Sequence, residues 1–167
     1  MARLAILEFP DPRLRLQSQP VEAFDEALHQ LVADLFETMY ARSSLGLSAP
    51  QADFQRQVIA CDASGTGQAQ RVFINPEIIA SGTPGYVQET CLSVPGRKGL
   101  VKRPTRLSVR AQDTSGQPFT AHLQGLEAVC LRHEIDHLHG ILFIDRLWLL
   151  RRLGIRARTY LQQRRAG

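Results

Sequence analysis

Two histidines four residues apart, His133 and His137, are the side chains of this sequence best spaced to do chemistry together. On a helix, positions i and i+4 lie on one face, so both imidazoles can share one metal ion. Glu134 falls about 100° round the helix from His133, beside such an ion, where a carboxylate can handle a proton. The flanks favour a helix: Gly125 precedes the run 126–132, and Gly140 is placed to cap the C-terminal end. The competing reading is a pair of surface histidines on a helix that dips into the core.

The third ligand decides the chemistry, because catalytic sites of this kind hold the ion with three protein groups and keep one position for water. No glutamate follows Glu134, which removes the metallopeptidases that take a downstream one. The longer pattern H-E-x-x-H-x-x-G-x-x-H is met as far as Gly140, but its last position is Phe143, which cannot bind a metal. Asp145 is a poorer alternative, since it lies close to the helix end. That leaves three cysteines. Cys130 shares the histidine stripe but stands about 10.5 Å of helix rise from His137, too far for one ion. It reads as a small buried residue lining the site. Cys61 closes the apolar run Val58-Ile59-Ala60-Cys61, the pattern of a buried strand. Cys91, in Glu89-Thr90-Cys91-Leu92-Ser93 ahead of Val94-Pro95-Gly96, lies where a strand edge runs into a turn, a good place to present a thiolate.

Three motifs in order now carry a resemblance. Leu45-Gly46-Leu47-Ser48-Ala49-Pro50-Gln51 is similar to G-x-G-L-A-A-x-Q, Glu89-Thr90-Cys91-Leu92-Ser93 to E-G-C-L-S, and Arg132-His133-Glu134-Ile135-Asp136-His137 to Q-H-E-x-D-H. The chain resembles the peptide deformylases, and the likeness extends to the Pro10-Asp11-Pro12-Arg13-Leu14-Arg15 and Phe73-Ile74-Asn75-Pro76 segments and the Pro95-Gly96-Arg97-Lys98-Gly99 turn. The resemblance implies Cys91, His133 and His137 as ligands of one divalent metal, Fe²⁺ in the cell and replaceable by Zn²⁺, Ni²⁺ or Co²⁺. It implies hydrolysis of the N-formyl group from the formylmethionine of nascent polypeptides, with release of formate. Glu134 would move the proton, and the Gln51 amide and Leu92 backbone N–H would hold the oxyanion. Gly46 would line the cleft, with Leu45, Val87, Leu126, Val129 and Cys130 forming the methionine pocket. Three positions depart from the pattern. Ser44 would be strained if its backbone needs positive φ. Thr90 would narrow the cleft mouth. Arg132 would add a charge near the metal helix unless it points to solvent. Lys98 is a candidate for weak substrate contact, and Glu89 with Arg103 for a supporting ion pair.

The elements that must position these groups are legible in outline. A length of 167 residues suits a single domain spanning 1–167. No apolar run is long enough for a membrane, the first residues do not read as a signal peptide, and an odd cysteine count favours a reducing compartment. A cytoplasmic monomer is expected. Residues 3–24 are proline-punctuated and should wrap the surface. Leu28, Leu31, Val32, Leu35, Phe36 and Met39 predict an amphipathic helix over 25–42, with His29 on its wet side. Strands are predicted over 57–61, 71–74, 106–111 and 118–123, with 63–69 an exposed loop and 43–51 a loop before a strand. Helix against mainly antiparallel strands makes the class α+β, antiparallel sheets around a central metal-binding helix. The tail 146–167 holds seven arginines and no acid, leaving −3 for residues 1–145 against +4 overall. It reads as a basic C-terminal helix, either simply solvated or a patch for ribosomal RNA, since some deformylases dock on the ribosome this way. Two other functions stay open: a related metallo-amidohydrolase with a different acyl group, and a non-catalytic ribosome-binding relative.

Overall fold

The computed structural model describes residues 3–147 and 154–155. The predicted tail over 146–167 therefore lies outside the described residues, apart from Arg146, Leu147 and residues 154–155. No helix among the described residues is long and apolar enough to cross a membrane.

An extended N-terminal segment leads into α1 (Glu26–Ala41), whose Asp25 cap accepts from the Leu28 N–H at 3.0 Å. The strands are β1 (Gly46–Ser48), β2 (Val58–Cys61), β3 (Arg71–Ser81), β4 (Pro84–Thr90), β5 (Lys98–Pro104), β6 (Arg106–Gln112) and β7 (Pro118–Gln124), and α2 spans Gly125–Leu138. The pairings among these strands are antiparallel: one sheet ordered β1-β2-β3-β6-β7, and a separate β4-β5 hairpin. This is the α+β class expected.

The run Val58-Ile59-Ala60-Cys61 is apolar throughout because both faces of β2 are covered. Val58 and Ala60 pack in the cluster with α1, whereas Ile59 and Cys61 pack in the cluster with α2. A strand buried on both sides needs no polar alternation. Elsewhere the alternation is plain: Leu107, Val109 and Ala111 on β6, with Ala121 and Leu123 on β7, meet Ala128, Leu131, Ile135 and Leu138 of α2. That apolar stripe seats α2 on the sheet and leaves its His133–His137 stripe facing the hairpin side.

The structure departs from the sequence reading in four places. Residues 46–48 are a buried strand rather than loop, followed by a 3-10 turn, Ala49–Ala52, that carries Gln51. β3 runs well past Ile74, because a register shift between Ile74 and Glu77 lets the sheet pass Pro76. Asn75 stands there at φ 50°, and its side chain bonds both Val21 and Gln112. The hairpin β4-β5 was not predicted, because Glu89 and Arg103 occupy inward positions where alternation calls for apolar residues. Fourth, the positive φ near the first motif falls on Ser43, at 52°, and not on Ser44, whose hydroxyl donates to the Gly46 carbonyl.

The segment 7–18 ties the loops of the site together from behind. Leu7 N–H donates to the Gln51 carbonyl, Phe9 N–H to that of Ser93, and Ser18 N–H to that of Leu138. Gly140, at φ 67°, ends α2 hard against this segment, and a Cβ there would lie 2.4 Å from the Arg15 carbonyl oxygen. Gly140→Ala is therefore expected to cost at least about 2 kcal/mol, from left-handed backbone plus a backbone clash. Urea unfolding checks this; a loss within experimental error would mean the 15–18 segment is free to move aside.

Candidate metal centre and active site

β4 delivers the thiolate. Residues i and i+2 of a strand point the same way, so Glu89 and Cys91 both face α2. A turn closes immediately after, with Val94 N–H on the Cys91 carbonyl. From the other side, His133 and His137 project one helical turn apart. Cys91 Sγ lies 3.2 Å from His137 Nε2, which lies 3.2 Å from His133 Nε2. All three atoms fall within 4.8 Å of one another. A tetrahedral ion spaces its ligand atoms roughly 3.5 Å apart, so one small ion fits among them. Among the described residues this is the single such group of potential ligands. Asp145 is excluded as third ligand: its carboxylate pairs with Arg15 and accepts the Leu142 N–H at 2.9 Å.

The supporting contacts fix ring orientation. Glu89 Oε2 sits 2.8 Å from His133 Nδ1, so the ring donates there and keeps the Nε2 lone pair for a metal. Glu89 in turn takes two bonds from Arg103, at 2.5 and 2.9 Å. Arg103 is only 1% exposed, and its remaining arm reaches Asp136 at 2.5 Å. Burial pushes the Glu89 carboxyl up, but the Arg103 and His133 bonds outweigh it and hold it at about 2. Burial likewise pulls His133 down, and the adjoining Cys91 and Glu89 reverse the sign, raising it well above an ordinary imidazole. This is a pocket that favours a cation.

Glu134 is buried at the cleft floor. Its Oε2 has no hydrogen-bond partner among the described residues, and burial raises its carboxyl. A buried orphan acceptor next to a metal position is what a water or substrate must satisfy. Gly46 presses on it: a Cβ there would meet Cys130 Sγ at 2.7 Å and Glu134 Oε1 at 2.9 Å. Gln51 is held in one sense, with Oε1 accepting from the Ser48 N–H and hydroxyl. Its amide nitrogen therefore points the other way, 3.2 Å from Ser93 Oγ and 3.6 Å from Cys91 Sγ.

A cleft of about 560 Å³ opens over these groups. Every expected catalytic, pocket and metal-ligand residue lines it except His137, which is buried. The lining comes from Leu45 and Gly46 at β1, Val87 on β4, Cys91 and Leu92 just after it, Gln51 on the 3-10 turn, and Leu126, Val129, Cys130, His133 and Glu134 on α2. Leu126 is 54% exposed, at the mouth, and Cys130 is half-buried rather than sealed in the core. Ser44 and Thr90 also line the cleft. Lys98 does not, so its expected substrate contact finds no support. Arg132 turns away from the metal to pair with Asp136. The reading missed Ser48, Ser93 and Asp136, and it missed that Glu89 bonds His133. An acid two residues before a thiolate on one strand was the available signal for the last.

A thiolate–two-imidazole site on an H-E-x-x-H helix, set between antiparallel sheets, defines a metal-dependent hydrolase. The comparisons carry this to a family. The polypeptide deformylase family profile matches residues 3–152. A peptide deformylase of Hahella chejuensis is 46% identical over 165 residues, covering 98% of each chain. One of Azotobacter vinelandii is 46% identical over 169 residues, covering all of both. The crystal structure of a peptide deformylase from Legionella pneumophila superposes with a TM-score of 0.92 at 42% identity, over 98% of this chain and 96% of that one. The chain belongs to the polypeptide deformylase family.

Glu89→Gln keeps side-chain shape but removes the charge that faces His133. It is expected to weaken metal binding by about 10–100-fold, read by chelator competition, with far-UV circular dichroism retained. Unchanged affinity would show that His133 does not depend on this partner. Arg103→Met leaves the buried Glu89 without its guanidinium, while Asp136 keeps Arg132 and Arg146, and should cost about 3–5 kcal/mol in unfolding free energy.

Proposed function

We propose that this chain removes the N-formyl group from the N-terminal formylmethionine of nascent polypeptides, releasing formate and a free amine. The observation that carries the reading is the convergence of Cys91 Sγ and the two Nε2 atoms beside the orphaned carboxylate of Glu134. Cys91, His133 and His137 hold one divalent metal. One thiolate with two imidazoles suits Fe²⁺ and equally Zn²⁺, Ni²⁺ or Co²⁺, and Fe²⁺ is the ion proposed in the cell. When bound, the ion lowers the pKa of a water toward neutrality and polarises the formyl carbonyl.

The residues do the rest. Glu134 takes the proton of the attacking water and returns it to the amine nitrogen as the C–N bond breaks. Its raised carboxyl pKa suits a group that must hold and release a proton. The Gln51 amide and the Leu92 N–H donate to the carbonyl oxygen as negative charge builds there. The Ser48 bonds that fix the Gln51 amide support that role. Leu45, Gly46, Val87, Leu126, Val129 and Cys130 receive the methionine side chain, and such an apolar pocket discriminates by about 1–3 kcal/mol per methylene. The protein acts in the cytoplasm as a monomer, and the arginines after Asp145 serve as a contact for ribosomal RNA.

Formate release from formyl-Met-Ala-Ser tests the reading, using protein loaded anaerobically with Fe²⁺. Glu134→Gln should bind one metal per chain yet lose at least about 10²-fold in kcat. Cys91→Ser should lose the metal itself. No release by wild-type protein carrying one metal per chain would sink this substrate and turn attention to other acyl groups.

A further inference from the structure

Cys61 and Cys130 are both free, and their sulfurs lie 3.5 Å apart where β2 packs on α2. The resemblance assigns Cys130 only to the apolar pocket and gives Cys61 no role, yet the two thiols face each other. Their exposure differs in a useful way. Cys130 lines the cleft and is reachable by any solute small enough to enter it. Cys61 is 1% exposed and does not line the cleft. The pair is separate from the metal ligands, which are Cys91, His133 and His137.

We infer that Cys61 and Cys130 form an oxidisable dithiol at the floor of the cleft, a modification site for hydrogen peroxide that closes to a disulfide and reversibly disables the active site. In the first step peroxide transfers an oxygen to the Cys130 sulfur, giving a sulfenic acid and one water. In the second, the Cys61 sulfur attacks that of Cys130, the S–O bond breaks, and a second water leaves. Two thiols are oxidised by two electrons overall, and one peroxide is reduced to two waters. The Cys61 sulfur already lies 3.5 Å from that of Cys130, so it is the favoured partner for the sulfenic acid.

The consequence follows from geometry. A disulfide holds its sulfurs about 2.05 Å apart, so closure from 3.5 Å draws Cys130 toward β2 by roughly 1.5 Å. Cys130 lies one helical turn before Glu134, on the same face of α2. Its sulfur also forms, with Glu134, the wall pressed against Gly46. Carried along the helix to Glu134, a displacement of about 1 Å is enough to cost about 10²-fold in rate. The Cys61 contact and burial hold the Cys130 thiol well above the ordinary thiol pKa. Oxidation, which runs through the thiolate, accordingly quickens as pH rises.

The activity arm of the test rests on the proposed deformylase reading; the chemical arm does not. Full-length protein loaded with Zn²⁺, which has no redox chemistry of its own, is treated with millimolar hydrogen peroxide, alkylated, digested and mapped by mass spectrometry. The expected result is a Cys61–Cys130 cross-linked peptide. It should accompany at least a tenfold or so fall in kcat/KM, restored by dithiothreitol. Cys61→Ala should keep its starting activity, form no cross-link and show no dithiothreitol-reversible loss. A cross-link through Cys91, or a Cys130 that oxidises singly in wild type, would overturn the inference. So would equal reversible inactivation of wild type and Cys61→Ala. Where formate release is absent altogether, the peptide map still decides the dithiol, and the failure falls on the substrate reading alone.

Discussion

The guanidinium of Arg103, taken almost wholly out of water, is the constraint on which the rest of the site depends. A buried ion costs several kcal/mol of lost hydration and is tolerated only when its partners are placed well. Here the partners are Glu89 on the same hairpin and Asp136 on α2. Satisfying Arg103 therefore fixes the distance and angle between β4-β5 and α2. That is the geometry the metal site needs, because Cys91 follows β4 and both histidines ride on α2. An apolar contact of equal area would hold the two elements together but would let them slide. The directional bonds set their register, and through Glu89 they also choose the tautomer of His133.

Asp136 gathers more charge than Arg103 alone supplies. Arg132 reaches it from one helical turn earlier, and Arg146 reaches it with two bonds, at 2.5 and 2.6 Å. Three guanidiniums around one carboxylate hold Asp136 at about 2, against the burial that pushes it up. Arg132 is a departure from the motif, and its charge is spent on this carboxylate at the outer end of the network. Arg146 joins the residues after α2 to the same point, so the catalytic helix and the start of the basic tail share an anchor. Thr90 and Ser44 are departures of another kind. Both stand on the cleft lining and leave the ligands and Gln51 where the motif requires them.

What the sequence made legible follows the distinction between local and long-range physics. The helices and β2, β6 and β7 were readable because burial stamps a period on them: 3.6 for α1, alternation for β6 and β7, and an unbroken apolar run for β2. β4-β5 was not, since Glu89, Gly99 and Arg103 interrupt the apolar period that Val87 and Val101 keep on its inward face. β3 was cut short at Pro76, because only the partner strand reveals the register shift that lets it continue. At the site, residue types and spacing led to the two histidines, the carboxylate and a preferred cysteine. They could not orient Gln51, whose direction is set by Ser48 at the end of β1 and Ser93 in the turn after Cys91. Nor could they show that His133 leans on Glu89, a contact between residues 44 apart in the chain.

On the proposed reading, the choice of a formyl group comes down to how little space surrounds Glu134. At Gly46 a single added carbon would fall 2.7 Å from Cys130 Sγ and 2.9 Å from Glu134 Oε1, both far inside contact distance. The cleft wall beside the carboxylate thus has no slack for one carbon atom. An acetyl group differs from a formyl group by one carbon, carried on the atom under attack. Apolar pockets further out discriminate weakly, because an extra methylene there changes only the area buried. Discrimination by overlap at the reacting carbon is steeper, since packed interiors yield little before side chains leave their rotamers. Selection for the acyl group then belongs to the contact of Gly46 and Cys130 with Glu134, and selection for the side chain to the pocket in which Leu45, Val87, Leu126 and Val129 join the first two. Of these three, Cys130 is the one that a Cys61–Cys130 bond would draw away, and Glu134 follows it one helical turn on.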